Sequence, residues 1–145
     1  MIGYFAYGSN VSSGVMTSRI PSARRPRPAR LDGYRLVFSL PSVRWGGHAA
    51  GIEPAPGQVV WGLVWQIGRD DLALLDRVEA NYHRIEVTPV VAGDPVPAVS
   101  YVVRPERSVD EGRPVAEYLG HLVAGAIEHG LPDPWVAWLR EIRPV

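Results

Sequence analysis

Hydrophobic and polar positions along much of the chain alternate with the period of two that is typical of β-strands. The clearest example is residues 59–67, in which Trp61, Leu63, Trp65 and Ile67 are apolar at every second position. Glycines and prolines are scattered between such runs, as expected for turns in a strand-rich protein. The predicted strands are residues 2–7, 30–40, 48–52, 59–67, 82–91 and 98–103.

Other segments follow the helical period of 3.6 residues. Residues 70–78 begin with two aspartates, which suit a helix N-terminus, and continue with a stripe of leucines. Residues 114–129 begin with proline and are followed by Gly130, a suitable C-terminal cap. Shorter helices are predicted over 11–20 and 134–142. Strands mostly in succession, with helices interspersed or appended, predict an α+β fold with a curved, largely antiparallel sheet.

The amino-acid composition excludes several classes of function for this chain. The 145 residues are enough for a single domain, residues 1–145, with a buried core. The 15 basic and 15 acidic side chains balance, which argues against a nucleic-acid partner and gives no reason to expect attraction to a membrane surface. Because the chain has neither cysteine nor lysine, thiolate, metal–sulfur and Schiff-base chemistry are excluded. The first residues lack a signal-peptide pattern, so we expect a cytoplasmic protein.

Glu79 is the most informative acidic residue by position. It follows Leu75 by four residues and Leu72 by seven, so a helix places it at the edge of the buried stripe. Desolvation there would raise the pKa of its carboxyl toward the range useful for proton transfer at neutral pH. On position alone, the simpler interpretation is a boundary glutamate that turns back to water.

A second candidate is the turn Tyr7-Gly8-Ser9-Asn10, between the first strand and a short helix. Backbone N–H groups in such a turn converge on one point and attract a carboxylate or an oxyanion. The motif is short enough to occur by chance. An ordinary connection with Ser9 or Asn10 as the helix cap is the alternative.

The remaining patterns give no support for a metal, nucleotide or serine-hydrolase site, so no metal or cofactor is expected. Residues 19–30 contain five arginines between prolines and are predicted as a solvated basic loop, because no aromatic residues interleave with them. Tyr4, Tyr34 and Tyr101 fall at strand positions, where core packing is the simplest interpretation. The five tryptophans fit a core as readily as the face of a homodimer.

Taken in order, these motifs resemble the γ-glutamylcyclotransferase family. Residues 4–10, YFAYGSN, are similar to its opening signature, and GYRLVF at 33–38, VWGLVW at 60–65 and the segment 72–79 follow in the family's order. The resemblance continues through residues 82–87, 100–101, 118, 130–132 and 139–144. It implies a small mixed, largely antiparallel β-barrel of about six strands with flanking helices.

The resemblance also implies an enzyme. Its reaction would release 5-oxoproline from a γ-glutamyl amino acid or a γ-glutamyl-protected metabolite, by attack of the substrate's own α-amine on its γ-carbonyl, without metal or cofactor. Glu79 would be the general acid and base, taking a proton from the α-ammonium and returning one to the leaving nitrogen. The implied substrate-binding residues are Tyr7, Gly8, Ser9, Asn10, Tyr82, Tyr101 and Tyr118.

One departure from the family keeps an alternative open. Ala80 stands where the family commonly has glycine, and the connection from Glu79 to Tyr82 is short. The alternative function is therefore a non-catalytic small-molecule binding module that keeps the γ-glutamyl pocket without turnover. A third hypothesis is an interaction protein that uses residues 19–30.

The leaving group of the substrate is not identified by the sequence. Asn10 resembles the branch of the family that acts on γ-glutamyl amino acids, or bacterial relatives that remove a γ-glutamyl group from a biosynthetic intermediate. Residues 42–50, with Arg44, Trp45 and His48, are the candidate lining of the leaving-group side.

Overall fold

A long two-stranded hairpin forms the middle of the fold. The computed structural model describes all 145 residues. The strands are β1 (Ile2–Ala6), β2 (Arg24–Pro41), β3 (His48–Ile67), β4 (Tyr82–Val87), β5 (Val90–Val91), β6 (Asp94–Pro95) and β7 (Ala98–Val103). The helices are α1 (Ser13–Arg19), α2 (Leu72–Val78), α3 (Ala116–Glu128) and α4 (Asp133–Glu141).

The seven strands form one sheet in the order β4-β7-β1-β3-β2-β5-β6. Strand β1 pairs parallel with β7, and every other strand pair is antiparallel. The sheet curls into a half-barrel, and four helices accompany it. This confirms the predicted fold class, a mixed, largely antiparallel barrel-like sheet with flanking helices, and raises the strand count to seven.

The hairpin corrects two predictions. Residues 48–52 and 59–67 were predicted as separate strands, but both belong to β3. Of the intervening residues, Glu53 and Pro54 pair with Arg35 and Tyr34 of β2, and residues 55–58 form a bulge before Val59 pairs with Asp32. Gly57, with a φ of +81°, takes up the irregular backbone of this bulge.

The prediction of a solvated basic loop over residues 19–30 is wrong. Residues from Arg24 onward belong to β2 and pair with the last residues of β3, from Trp61 to Gln66. A register shift between Arg24 and Arg27 accommodates the first prolines, which lack a backbone N–H for the ladder. The pairing partner lies more than thirty residues away in sequence, so the local composition gave no sign of it.

The predicted strand over residues 82–91 is also divided. Strand β4 ends at Val87, and a separate two-residue strand, Val90–Val91, pairs with β2 and β6. Pro89, which cannot donate to a ladder, lies between them. The predicted helices are all present, the first three with shorter bounds and the last displaced by one residue, and none of the four has both the length and the apolar character needed to cross a membrane.

The core is built from the central strands of the sheet and from the helices. Both faces of the central strands are buried: Leu63 and Trp65 lie on one face and Phe5 on the other, and Leu75 of α2 and Leu122 of α3 are also almost completely buried. Burying each such side chain stabilises the fold by roughly 1.5–3 kcal/mol. Because Leu75 holds α2 against the sheet, the end of this helix has a fixed position beside the end of β1.

Candidate functional site

A cavity of about 430 Å³ opens where the end of β1, the end of α2 and the turn between β2 and β3 meet. All eight residues predicted from the sequence line it: Tyr7, Gly8, Ser9, Asn10, Glu79, Tyr82, Tyr101 and Tyr118. These residues come from four separate parts of the chain. The fold therefore brings the predicted site residues together, while their individual roles stay predictions.

Glu79 follows the last residue of α2. Its backbone N–H donates to Leu75 O at 2.9 Å, which completes the last turn of the helix. Its carboxylate lies against the turn that follows β1, where Oε1 accepts a hydrogen bond from Asn10 Nδ2 at 3.1 Å. The side chain therefore faces the cavity and the Gly-Ser-Asn turn, rather than open solvent.

Burial raises the pKa of the Glu79 carboxyl above its usual range. The positive charges of Arg19 and Arg44 and the hydrogen bond from Asn10 oppose this effect without cancelling it. A carboxyl with a raised pKa is able to exchange a proton closer to neutral pH than a solvated one. This is the property required of a general acid and base.

Asn10 is the centre of a buried hydrogen-bond network. Its Nδ2 donates to Tyr4 Oη at 2.9 Å as well as to Glu79, and its Oδ1 accepts from Arg19 Nη1 at 2.6 Å. Its backbone carbonyl accepts from Trp65 Nε1 at 3.0 Å. Because every polar group of the side chain has a partner, the turn is held in a single conformation beside the carboxylate.

Arg19 is a site residue that the sequence analysis missed. It ends α1 and lines the cavity, and its Nη1 donates to Ser9 Oγ at 3.1 Å in addition to Asn10. The sequence contained one usable signal, because Arg19 ends a predicted helix that begins directly after Asn10. Tyr4 was interpreted as a core residue. It is buried, but it also lines the cavity and contacts Asn10.

The four tyrosines predicted to line the site have hydroxyls that bond within the protein. Tyr82 Oη donates to Ala50 O at 2.6 Å, and Tyr118 Oη accepts from Ala50 N at 2.9 Å. Tyr7 Oη donates to the backbone carbonyl of Tyr101 at 2.7 Å. Tyr118 Oη accepts a hydrogen bond but donates none, so of these three hydroxyls it is the one that remains able to donate to a ligand.

Tyr101 differs from the other tyrosines because its hydroxyl donates to Asp76 Oδ1 at 2.5 Å. Burial is the largest cause that raises its pKa, followed by the hydrogen bond to Asp76. The pKa of Tyr118 is also raised, chiefly by burial. Both phenols are therefore neutral near pH 7.

Gly8 permits the close approach of the turn to Tyr118. A Cβ at this position would lie 2.9 Å from Tyr118 Oη, closer than side-chain atoms tolerate. Any larger residue would displace the hydroxyl that the backbone amide of Ala50 holds in the cavity. The close contact with Tyr118 therefore explains why the predicted turn has glycine at this position.

The turn between β2 and β3 forms the outer part of the cavity. Arg44 and Trp45 line it together with residues at both ends of the turn, but His48 does not. Trp45 packs edge-on against Tyr118, with ring centroids 5.5 Å apart. No group of three or more histidine, aspartate or glutamate side chains is arranged to hold a metal ion.

Comparisons with known proteins show the family. The AIG2-like family model matches residues 59–139. A γ-glutamylcyclotransferase from Bos taurus is 36% identical, and one from Homo sapiens is 33% identical, each over 97% of this chain and 78% of the relative.

Solved structures of the same family have a similar fold. A γ-glutamyl cyclotransferase superimposes with a TM-score of 0.92 at 33% identity, over 99% of this chain and 89% of that one. A glutathione-specific γ-glutamyl cyclotransferase from yeast has a TM-score of 0.69 over 97% of this chain and 96% of that one. At 14% identity, the second similarity indicates the fold alone.

Proposed function

This chain belongs to the γ-glutamylcyclotransferase family, and from that membership we propose that it releases 5-oxoproline from a γ-glutamyl amino acid or a γ-glutamyl-protected metabolite, with Glu79 as general acid and base. The observation that supports the proposal best is the position of the Glu79 carboxylate. It lies in the cavity, with a raised pKa, 3.1 Å from the amide of Asn10 in the Gly-Ser-Asn turn.

The reaction needs no enzyme nucleophile, because the substrate supplies its own. The cavity would hold the γ-glutamyl group folded, so that its α-amine lies against its γ-carbonyl. Holding two reacting groups in this way is worth an effective molarity of up to about 10⁵–10⁸ M in favourable cases. The protein has to supply proton transfer and stabilisation of the developing charge.

Glu79 would perform the proton transfer. Its carboxylate accepts a proton from the substrate's α-ammonium, which makes the amine nucleophilic. The amine attacks the γ-carbonyl, and the protonated Glu79 gives its proton to the leaving nitrogen as the C–N bond breaks. The second surplus proton of the attacking nitrogen then passes to the Glu79 carboxylate and on to the departing amine, which leaves as an ammonium ion. A carboxyl with a raised pKa is suited to both steps, because it gives up its proton less readily than water-exposed glutamate but more readily than an ammonium group.

The turn after β1 would stabilise the charge. Ser9, Asn10 and Val11 form a helical turn of 3₁₀ type, and the first amide groups of such a turn have no carbonyl partner within it. These groups are suited to hold the glutamyl carboxylate or the oxyanion of the tetrahedral intermediate. Tyr82, Tyr101 and Tyr118 would shape the wall that orients the γ-glutamyl group.

Replacement of Glu79 by glutamine tests the proposal. Glutamine keeps an oxygen that accepts from Asn10 but cannot take a proton, so kcat for 5-oxoproline release should fall about 10²- to 10⁴-fold. Calorimetric binding of γ-glutamylalanine should persist. Glu86→Gln is the matched control, because Glu86 is an exposed carboxylate on β4 outside the cavity. Full activity in Glu79→Gln would contradict the assignment.

The same measurements of 5-oxoproline release and of binding also test the binding-module alternative. That alternative depended on Ala80 and the short connection, yet Ala80 does not have a positive φ and therefore has no conformational need for glycine. The connection is also fixed, since Tyr82 N donates to Glu79 O at 2.9 Å. Binding of γ-glutamyl compounds by the unmodified protein without any 5-oxoproline would support the module.

A further inference from the structure

Two arginines at the mouth of the cavity have no partner in the protein. Arg44 lies in the turn between β2 and β3 and Arg77 lies near the end of α2; both are exposed and both line the cavity that contains Glu79. Neither guanidinium has a carboxylate within 4.0 Å or a side-chain hydrogen bond. Their hydrogen-bonding groups are free to bind a ligand.

The turn that presents Arg44 is fixed. Ser42 Oγ accepts from Trp45 N at 3.0 Å, and Ser42 N donates to Gly47 O at 2.9 Å, which closes the turn on itself. Trp45 then packs against the ring of Tyr118 inside the cavity. Arg44 is therefore held beside the opening by neighbours on both sides, although its own side chain is exposed.

The acidic residue that precedes Arg77 in the chain is already engaged. Asp76 precedes it in α2, but its carboxylate accepts from Arg84 Nη1 at 2.8 Å and from the Tyr101 hydroxyl. Asp76 does not line the cavity. The carboxylate of Asp76 therefore does not neutralise the positive charge of the two arginines at the mouth of the cavity.

The charges of the cavity are unbalanced as a result. Its lining contains the guanidinium groups of Arg19, Arg44 and Arg77 and a single carboxylate, that of Glu79. The γ-glutamyl group itself is neutral overall, because its α-ammonium and α-carboxylate balance. A leaving group with a carboxylate would complement the excess positive charge, whereas a neutral amine would not and a cationic amine would be repelled.

We propose that Arg44 and Arg77 are specificity-determining residues that bind an anionic group on the leaving side of the substrate. Among γ-glutamyl amino acids, the preferred substrates are then those whose leaving amino acid bears a second carboxylate. This inference rests on the proposed cyclisation and adds the residues that bind the leaving group and the charge that they favour. Arg19 and Glu79, deeper in the cavity, would contact the γ-glutamyl group, whereas Arg44 and Arg77 at the mouth would bind the leaving amine.

The test compares kcat/KM for 5-oxoproline release from γ-glutamylglutamate, γ-glutamylalanine and γ-glutamylethylamide, whose leaving groups bear two, one and no carboxylates. The unmodified protein should prefer them in that order. Arg77→Gln should lower kcat/KM for the two acidic substrates about five- to tenfold, mainly through KM, and leave the ethylamide unchanged. Arg44→Gln should lower kcat/KM for the acidic substrates by a larger factor than for the ethylamide, which it also affects because the charge of Arg44 lowers the pKa of Glu79. The preference should also shrink as salt is raised, because both arginines are exposed.

Arg140→Gln is the matched control, since Arg140 is an exposed arginine of α4 outside the cavity. If Arg44→Gln and Arg77→Gln lower activity equally on all three substrates, the arginines bind the glutamyl carboxylate and the inference is overturned. Equal activity of the unmodified protein on all three substrates also overturns it, but leaves the proposed function intact. Absence of 5-oxoproline from every substrate contradicts the proposed function itself.

Discussion

At the scale of single residues, a relay of hydrogen bonds connects a positive charge to the candidate catalytic acid. Arg19 donates to the oxygen of the Asn10 amide, and the nitrogen of the same amide donates to Glu79. The relay orients the carboxylate and brings a guanidinium close enough to favour its ionised form. Glu79 is thus subject to two opposing effects, burial and a nearby cation, of which burial is the larger.

Removal of the Arg19 charge should therefore change the pH dependence of the reaction. Glu79 must be ionised to accept the first proton, so activity is lost as the pH falls through its pKa. In Arg19→Gln the pKa of Glu79 rises further, and the acidic limb of the kcat/KM profile should move up by about one pH unit. Arg19→Lys, which keeps the charge, should restore part of the shift.

Arg140→Gln serves again as the control and should leave the acidic limb in place. A merely structural role for Arg19 would lower activity at every pH by the same factor. An unshifted limb in Arg19→Gln would thus contradict the electrostatic role. The measurement is a kcat/KM profile from pH 4 to 9 with γ-glutamylalanine.

At the scale of elements, helix α3 supports the turn after β1 from outside the cavity. Gly125 is buried where this helix crosses the turn, and a Cβ there would lie 2.5 Å from the carbonyl oxygen of Val11. The helix approaches the backbone of the turn directly, with no side chain between them. Site geometry consequently depends on a helix that contributes Tyr118 and also limits the space behind Ser9 and Asn10.

A pair of glycine replacements in α3 tests this contact. Gly125→Ala should destabilise the protein by about 1–3 kcal/mol, because helix and turn must move apart, and should raise KM. Gly120→Ala is the matched change, at an exposed position of the same helix with no atom within 4 Å of the added Cβ. It should stabilise by up to about 1 kcal/mol with unchanged KM, as measured by urea unfolding and steady-state kinetics. Equal effects of the two replacements would rule out the proposed contact.

Elements defined by local periodicity were the ones the sequence could predict. The alternation over residues 59–67 indicated a strand, and the leucine stripe indicated α2 and thereby the position of Glu79. The first half of β2 could not be predicted in this way, because its arginines and prolines have no strand pattern and depend on pairing with distant β3. Tertiary pairing overrides local preference at such positions.

At the scale of the whole molecule, most of the tyrosines are enclosed. The pKa values of Tyr4, Tyr7, Tyr82, Tyr101 and Tyr118 are all raised, with burial as the largest cause. The folded state therefore holds these phenolic protons more tightly than the unfolded state does. The stability that depends on them is complete below about pH 10, the ordinary tyrosine pKa, and falls as the pH rises above it.

Alkaline titration should accordingly show one cooperative event. Tyrosinate absorbance at 295 nm should rise together with the loss of near-UV circular dichroism, because the enclosed phenols ionise when the protein unfolds. The chain has six tyrosines and no lysine or cysteine, which simplifies the interpretation. Ionisation of more than one tyrosine with intact circular dichroism would contradict the expected coupling.

The candidate site also shows where prediction from sequence ends. Position along the chain made Glu79 and residues 7–10 candidates, but Tyr82, Tyr101 and Tyr118 were selected only by resemblance to a family, since nothing local connects them with residues 7–10. Arg19 was not predicted as a site residue because its contacts depend on the direction in which α1 leaves the turn. Packing in the folded protein sets that direction. The Arg19 guanidinium reaches Asn10 because α1 folds back along the turn.

The cavity has a consequence for how this protein can diversify. Its floor comes from the start of the chain and the end of α2, while much of its rim comes from a short hairpin turn, residues 42–47, whose Val43 side chain is fully exposed. Mutations of exposed positions in the turn, such as Val43, can alter which compounds are accepted while Arg44 and Trp45 keep their places beside Glu79 and Tyr118. Variation of the tip of this one loop is therefore a practical route to new selectivity.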